Sequence, residues 1–105
     1  MAKMYHIEKL WPARSEEELV EFLKEKCLPY WRSQGFEVKV FSRVAGLGDA
    51  PVLLFTGLER LADIDDWPAR AAGTPEGAQM LAKLDELVDH LQACVVQDIE
   101  EGEPL

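Results

Sequence analysis

The sequence predicts a single α+β domain of 105 residues in which strands and helices follow one another in the order β-α-β-β-α-β. Two observations support this prediction. Apolar and β-branched residues recur with strand-like patterns near both ends of the chain and twice in its middle, and two segments with helical spacing separate these strands. Right-handed crossovers then place both helices on one face of a four-stranded antiparallel sheet and leave the other face uncovered.

The first strand is predicted at residues 3–11 and ends before Pro12, which lacks an amide donor. Successive side chains of a strand point to opposite faces of the sheet. One face therefore carries Tyr5 and Ile7. The opposite face carries four residues of mixed character, Met4, His6, Glu8 and Leu10.

The first helix has clear boundary residues. Ser15 with Glu18 three residues later is a capping-box sequence, and Gly35 is well placed to end the helix. Pro29 removes an amide donor inside this segment, so a kink or a new helical turn is expected there. Apolar residues at spacings of three and four form the buried stripe, which comprises Leu19, Phe22, Leu23, Cys27, Tyr30 and Trp31.

Two strands, predicted within residues 36–44 and 51–59, form a hairpin around a loop that contains Gly46 and Gly48. The first of them alternates between apolar and polar residues. The second begins with an unbroken apolar run at residues 52–55, a pattern typical of a central strand that is covered on both faces.

The chain after the hairpin predicts a short helical turn and an irregular connection over residues 58–70. Thr74 and Pro75 form a strong helix start, and the apolar stripe of the second helix continues to Leu91, which places His90 near the helix end. A final strand is expected at residues 94–99. The acidic tail that follows, residues 100–105, is expected to be flexible.

The net charge of −9 disfavours nucleic acid as a partner, because an acidic surface repels the phosphate backbone. The sequence has no apolar run of membrane length and no signal-peptide pattern at its start, so a cytoplasmic protein without a membrane partner is expected. The two cysteines, Cys27 and Cys94, fit that environment as buried free thiols.

The uncovered face of the sheet is expected to be half apolar. In this interpretation it carries Met4, Leu10 and Phe41 together with polar residues of the first two strands, His6, Glu8, Lys39 and Arg43. An apolar surface of this kind usually binds a partner. Two such sheets that face one another would close a barrel with an interior cavity.

This layout resembles the ferredoxin-like dimeric α+β barrel superfamily, which includes antibiotic-biosynthesis monooxygenase-like, EthD-like and NIPSNAP-like proteins. The first strand MYHIEKLWP, the helix EEELVEFLKEKCLPYWRSQG and the hairpin that follows carry the resemblance. It extends over nearly the whole chain, and it implies a homodimer that forms through the open sheet face. Many members of these families have no known activity, so the fold alone does not indicate a function.

The candidate ligand site follows from the expected barrel interior. Its predicted residues are Tyr5, His6, Glu8, Lys39, Phe41, Arg43 and Thr56. Thr56 and Asp98 would belong to the site under one of two strand registers, between which the sequence does not decide. In the alternative interpretation, the polar members are solvated or ion-paired residues at the rim of the dimer.

Two functions are consistent with these residues. The first is a homodimeric binding module that holds a small, partly apolar ligand and needs neither cofactor nor metal. The alternative is a cofactor-independent monooxygenase or isomerase that acts on an aromatic or quinol-like substrate, with His6 as proton-transfer group and Arg43 as anion stabiliser. Some haem-degrading relatives of the fold use a His, a Trp and an Asn. His90 and Trp67 could fill the first two roles, but the sequence contains no Asn.

Overall fold

The structure, a computed structural model, describes residues 4–45 and 51–100, with Trp67 described in its backbone only. The predicted loop glycines, Gly46 and Gly48, and most of the predicted tail lie outside the described residues. The elements in chain order are β1 (Met4–Pro12), α1 (Glu16–Phe22), a π-helical turn (Leu23–Cys27), α2 (Leu28–Ser33), β2 (Val38–Ser42), β3 (Val52–Leu58), a 3₁₀ turn (Leu61–Asp65), α3 (Asp66–Ala72), α4 (Pro75–Leu87) and β4 (Val88–Gln97).

The four strands form one antiparallel sheet in the order β2-β3-β1-β4. This order is the ferredoxin-like arrangement, so the predicted α+β class is confirmed. The helix α3 is an addition, because a short helix replaces part of the irregular connection expected after the hairpin. The helices leave one face of the sheet uncovered, here called the open face, and cover the other, here called the helix-covered face.

The first helical segment begins and ends as its sequence predicts. The hydroxyl of Ser15 accepts a hydrogen bond from the Glu18 amide at 3.0 Å. Pro29 lies in the first turn of α2, directly after a π-helical turn whose bonding is completed by the Leu28 amide, and this confirms the expected new turn. Gly35 then adopts φ = 89°, a conformation that favours glycine.

The second long helix, α4, begins at the predicted cap but ends earlier than expected. The Thr74 hydroxyl accepts a hydrogen bond from the Gly77 amide at 3.0 Å. The helix stops at Leu87 and the chain enters β4 directly at Val88. The prediction that the helix continues to Leu91 is therefore wrong, because the residues from Val88 onward pair with β1 as a strand.

The hydrophobic core lies between the helix-covered face and the helices. Leu10, Val52 and Leu54 of the sheet are buried with helical residues that include Leu19 and Trp31. The predicted core position of Trp31 is confirmed. The strand β3 alternates strictly between buried and half-buried residues, so its unbroken apolar run is covered by the helices on one face only.

The two cysteines differ in burial. Cys27 is buried in the π-helical turn, and burial raises the pKa of its thiol to about 12, which makes the thiol unreactive at neutral pH. Cys94 is exposed on β4, so the expectation that both thiols are buried is wrong for this residue. Its strand is at the edge of the sheet, and in the register of β1 and β4 it lies opposite Ile7 on the open face.

Candidate functional site

The strand registers divide the predicted site residues between the two faces of the sheet. His6 and Glu8 lie opposite Thr56 and Leu54, whose buried side chains point to the helices. Tyr5 and its neighbours of the same parity lie on the open face, which also carries Lys39 and Phe41 of β2. The prediction that His6 and Glu8 share a face with Lys39, Phe41 and Arg43 is therefore wrong.

Arg43 is also distant from His6 within one protomer. It follows β2 and is exposed, and its amide donates a hydrogen bond to the carbonyl oxygen of Pro51 at 2.8 Å. His6 lies at the level of Thr56, five residues further along β3. The separation is roughly 17 Å along the strands and two strand spacings across them. The proposed combination of His6 and Arg43 in one active site is therefore wrong within a protomer.

His6 and Glu8 form a neighbouring pair on the helix-covered face. Nδ1 of His6 lies 3.8 Å from Oε1 of Glu8, and the two side chains are only 13% and 12% exposed. This distance exceeds that of a hydrogen bond. Thr56 lies opposite His6 in the strand register and is buried on the same helix-covered face, so its predicted place in a ligand site on the uncovered face is wrong.

Burial moves the protonation equilibria of this pair in opposite directions. It raises the pKa of the Glu8 carboxyl to about 7 and lowers the pKa of the His6 imidazole below its usual 6.5. Both shifts favour the neutral form. The pair is therefore better described as two weakly ionised neighbours than as an ion pair, and Glu8 exchanges its proton near physiological pH.

Glu8 lines a cleft between the sheet and α4, here called the β1–α4 cleft. Its volume is about 370 Å³, within the range of small-molecule sites. The cleft forms because α4 ends at Leu87 and the chain turns at once into the edge strand, whose Leu91 remains half exposed. The other apolar lining residues are Leu10, Leu81, Leu84 and Val88, and the polar ones are Asp85, Asp89 and His90.

The acidic residues of the cleft do not form a metal centre. Asp85 and Asp89 are exposed at its rim, whereas Glu8 is buried. Within residues 4–45 and 51–100, no three His, Cys, Asp or Glu side chains lie close enough together to hold a metal ion.

The open face carries a row of aromatic side chains, here called the aromatic row, composed of Tyr5, Phe55 and Phe41. The Phe41 and Phe55 rings meet edge to face with centroids 4.9 Å apart, and the Tyr5 and Phe55 rings are 6.4 Å apart. With Glu37 and Lys39 these rings line a pocket of about 210 Å³. Three predicted ligand residues, Tyr5, Lys39 and Phe41, thus remain together on this face.

Two other residues considered from the sequence have different positions from those expected. His90 lies on β4, not on a helix, and its ring packs against Trp11 with centroids 4.9 Å apart. Asp98 follows β4 and its carboxylate accepts a hydrogen bond from the Glu100 amide at 2.8 Å. Val95, not Asp98, lies opposite His6 on β4, so Asp98 does not join the cleft.

The sequence does not reveal the cleft, because its wall residues Leu81, Leu84 and Val88 have the spacing of an ordinary core-facing stripe on a helix. One signal was available for Glu8. Met4 and Leu10 share its parity on β1, and both are among the most buried residues of the strand. When the first and last residues of an alternating set on a strand are large and apolar, that side of the strand is expected to face the core.

No protein-family model matches the chain, and no curated protein matches it. Solved structures do resemble it. A NIPSNAP domain protein from Burkholderia xenovorans has a TM-score of 0.74 at 9% identity, covering 96% of this chain and 99% of its own. A NIPSNAP family protein of unknown function from Agrobacterium tumefaciens has a TM-score of 0.72 at 14% identity, with coverages of 91% and 87%.

A third similar structure is described as a dimeric protein of unknown function with a ferredoxin-like fold, from Bacteroides fragilis. Its TM-score is 0.58 at 14% identity, and the match covers 92% of this chain and 97% of that one. At these identities the likeness establishes the fold only. Separately, none of the helices in the described part of the chain is long and apolar enough to cross a membrane.

Proposed function

We propose that this protein is a homodimeric α+β barrel in which each protomer binds a small, partly apolar ligand in the β1–α4 cleft. The observation that supports the ligand site is the buried Glu8 carboxyl in an otherwise mainly apolar lining. Oε1 of Glu8 is buried and accepts no hydrogen bond from any residue that the structure describes. A buried carboxyl oxygen without a donor lowers stability, and such groups are often retained for binding or chemistry.

The dimer is supported by the open face. Its aromatic row lies on one side of a sheet whose other side is packed against helices, and Phe41 is 46% exposed. A second copy of the same sheet is the partner that fits best, because the fold is shared with a protein described as dimeric. Pairing of two open faces would bury the aromatic row of each protomer and close the barrel.

Native mass spectrometry of gently purified protein tests both parts of this proposal. We expect a dimer, and a small additional mass per protomer that is lost on collisional activation when a ligand is retained from the cell. A monomer at micromolar concentration would refute the barrel. A dimer that takes up no small molecule from a chemically diverse library would refute the ligand site.

Proton transfer on the bound ligand is a second candidate function. The observation that favours it is the carboxyl of Glu8, with its pKa at about 7, beside the imidazole of His6. A general acid or base works best near the operating pH, and Glu8 meets this condition. For a ligand that is also turned over, a Glu8→Gln variant would retain the dimer and lose turnover; unchanged turnover would exclude this role.

A further inference from the structure

The charge of the β1–α4 cleft restricts the kind of ligand that it accepts. Its lining contains three carboxyl groups, those of Glu8, Asp85 and Asp89, and neither a lysine nor an arginine. The carboxylates at the rim give the entrance a negative potential. A ligand that carries a carboxylate or a phosphate would be repelled at the rim and would have no cationic partner at the floor.

We propose that the β1–α4 cleft selects a small organic cation, namely a primary ammonium group attached to an apolar body. This inference rests on the proposed binding function and specifies its ligand class. In the bound state the ammonium group pairs with the carboxylate of Glu8, which lines the cleft, and the apolar body packs against Leu84 and Val88. Asp85 and Asp89 attract the cation to the cleft entrance.

The geometry suits an ammonium group better than a neutral donor. An ammonium carries three N–H donors on one compact charge, and a charge-assisted hydrogen bond is roughly twice as strong as a neutral one. Ion pairing also removes the cost of ionising Glu8 in a buried position, because the bound cation stabilises the carboxylate. The apolar walls provide the remaining binding energy through burial of the ligand body.

The other titratable groups near Glu8 do not cancel its charge at neutral pH. His6, on the same strand, has a pKa lowered by burial and stays largely neutral at pH 7. From α4 and the start of β4, the titratable lining residues are Asp85, Asp89 and His90, of which the first two add negative charge. The residues directly opposite Glu8, Leu54 of β3 and Ala93 of β4, are not ionisable.

Three ligands of the same shape and different charge test the inference: benzylammonium, benzyl alcohol and benzoate. Isothermal titration calorimetry gives the affinities, and amide NMR shifts at Leu84, Val88 and Leu91 locate the site. We expect benzylammonium to bind at least roughly tenfold more tightly than benzyl alcohol, with no measurable binding of benzoate. The Glu8→Gln variant should abolish the preference for the ammonium, whereas Asp89→Asn at the rim should reduce it only slightly and mainly at low salt.

The pH dependence provides an independent readout. Because Glu8 must be ionised to pair with the cation, the affinity of benzylammonium should rise roughly tenfold between pH 6 and pH 8. Binding at pH 7 should release about half a proton per ligand, visible as a dependence of the binding enthalpy on the ionisation enthalpy of the buffer. In Glu8→Gln both effects should disappear.

The possible results separate this inference from the proposed function. Equal or tighter binding of the alcohol or the benzoate at the same residues would overturn the cation preference and leave the ligand site intact. An ammonium preference that survives in Glu8→Gln would overturn the role of the floor carboxyl. Failure of benzylammonium to bind at millimolar concentration would also overturn the cation preference, whereas the ligand site itself is refuted only when no compound of the diverse library binds.

Discussion

Glu8 is a carboxyl residue whose ionisation the fold opposes. Burial raises the pKa of its carboxyl from 4.5 to about 7, and its side chain is 12% exposed. The folded state therefore keeps the proton up to about pH 7, while the unfolded chain releases it near pH 4.5. The stability that follows from this difference is complete below pH 4.5 and is lost as the pH rises through 7.

The Glu8→Gln variant should remove this dependence, because its amide stays neutral at every pH. Between pH 5 and pH 8 the free energy of unfolding of the wild type should fall by about 2 to 3 kcal/mol relative to the variant. Urea denaturation of both proteins at each pH measures the difference. His6 acts in the opposite sense, since its lowered pKa gives stability that is lost as the pH falls below 6.5, but its contribution largely cancels in the comparison. A constant difference between the two proteins would mean that Glu8 ionises as a solvated carboxyl does.

The local sequence predicts that His6 and Glu8 share a face, and this is confirmed, but it does not determine which face. Alternation determines which residues of one strand share a face. Which of the two faces is covered depends on where the helices pack. On β1 the buried parity contains two polar residues, and on β2 the open parity contains Phe41. A polar residue on the buried side and a large apolar residue on the open side each contradict the usual pattern. The pattern of apolar and polar residues therefore predicts the wrong side of β1 to lie on the same face as Lys39 and Phe41 of β2.

At the scale of elements, the contact of α4 with its surroundings depends on a glycine. An added Cβ at Gly77 would lie 2.1 Å from the Ala71 carbonyl oxygen and 2.6 Å from the Tyr30 hydroxyl. That hydroxyl is 2.7 Å from the Thr74 hydroxyl, which caps α4. One close approach therefore joins α2, α3 and the start of α4.

Gly77→Ala should destabilise the protein by about 1 to 3 kcal/mol, although alanine favours a helix by about 1 kcal/mol over glycine. The steric conflict with backbone at Ala71 exceeds the gain in helix propensity. Gly73→Ala is the matched control, because its Cβ would meet the nearest atoms at 3.4 and 3.5 Å, and its stability should change by less than about 1 kcal/mol. Thermal denaturation of both variants measures the effect. Equal stability of the two would exclude the close packing of α4 on Ala71.

The boundary between α4 and β4 shows what local patterns leave undetermined. Val88 and Leu91 continue the helical spacing of Leu84, so the sequence predicts one longer helix. In the structure, the Ala13 amide donates a hydrogen bond to the Leu87 carbonyl oxygen at 2.9 Å, and the following residues pair with β1. Pairing between residues about 80 positions apart decides the end of the helix, and no window of local sequence contains that information.

At the scale of the whole molecule, the open face is half apolar, as predicted. Some of the residues that lie on it differ from those predicted. The aromatic row and Cys94 occupy this face, whereas His6 and Glu8 do not. The consequence is a protein with two separate surfaces. In the proposed function the open face is the association surface, and the β1–α4 cleft on the other side of the sheet is the ligand site. Each surface is therefore testable by variants that leave the other intact.

Phe55→Lys tests the association surface, because Phe55 lies at the centre of the aromatic row and is only half buried in the protomer. In a dimer of facing sheets the new ammonium group would be buried among rings without a counter-ion, so the dimer dissociation constant should rise at least roughly hundredfold. Ala82→Lys, at an exposed position of α4, adds the same charge away from the sheet and should leave the dimer unchanged. Light scattering coupled to gel filtration measures the mass of both variants.

The reactivity of the Cys94 thiol provides a second test of the same interface, independent of the mass of the oligomer. It is exposed on the open face of the protomer, while Cys27 is buried and unreactive. A thiol reagent should label Cys94 slowly in the dimeric wild type and quickly in Phe55→Lys, because separation of the sheets exposes the thiol. Equal labelling rates, together with a dimeric Phe55→Lys variant, would show that the protomers associate through a surface other than the open face. Benzylammonium binding should be the same in both proteins, since the β1–α4 cleft lies on the opposite side of the sheet.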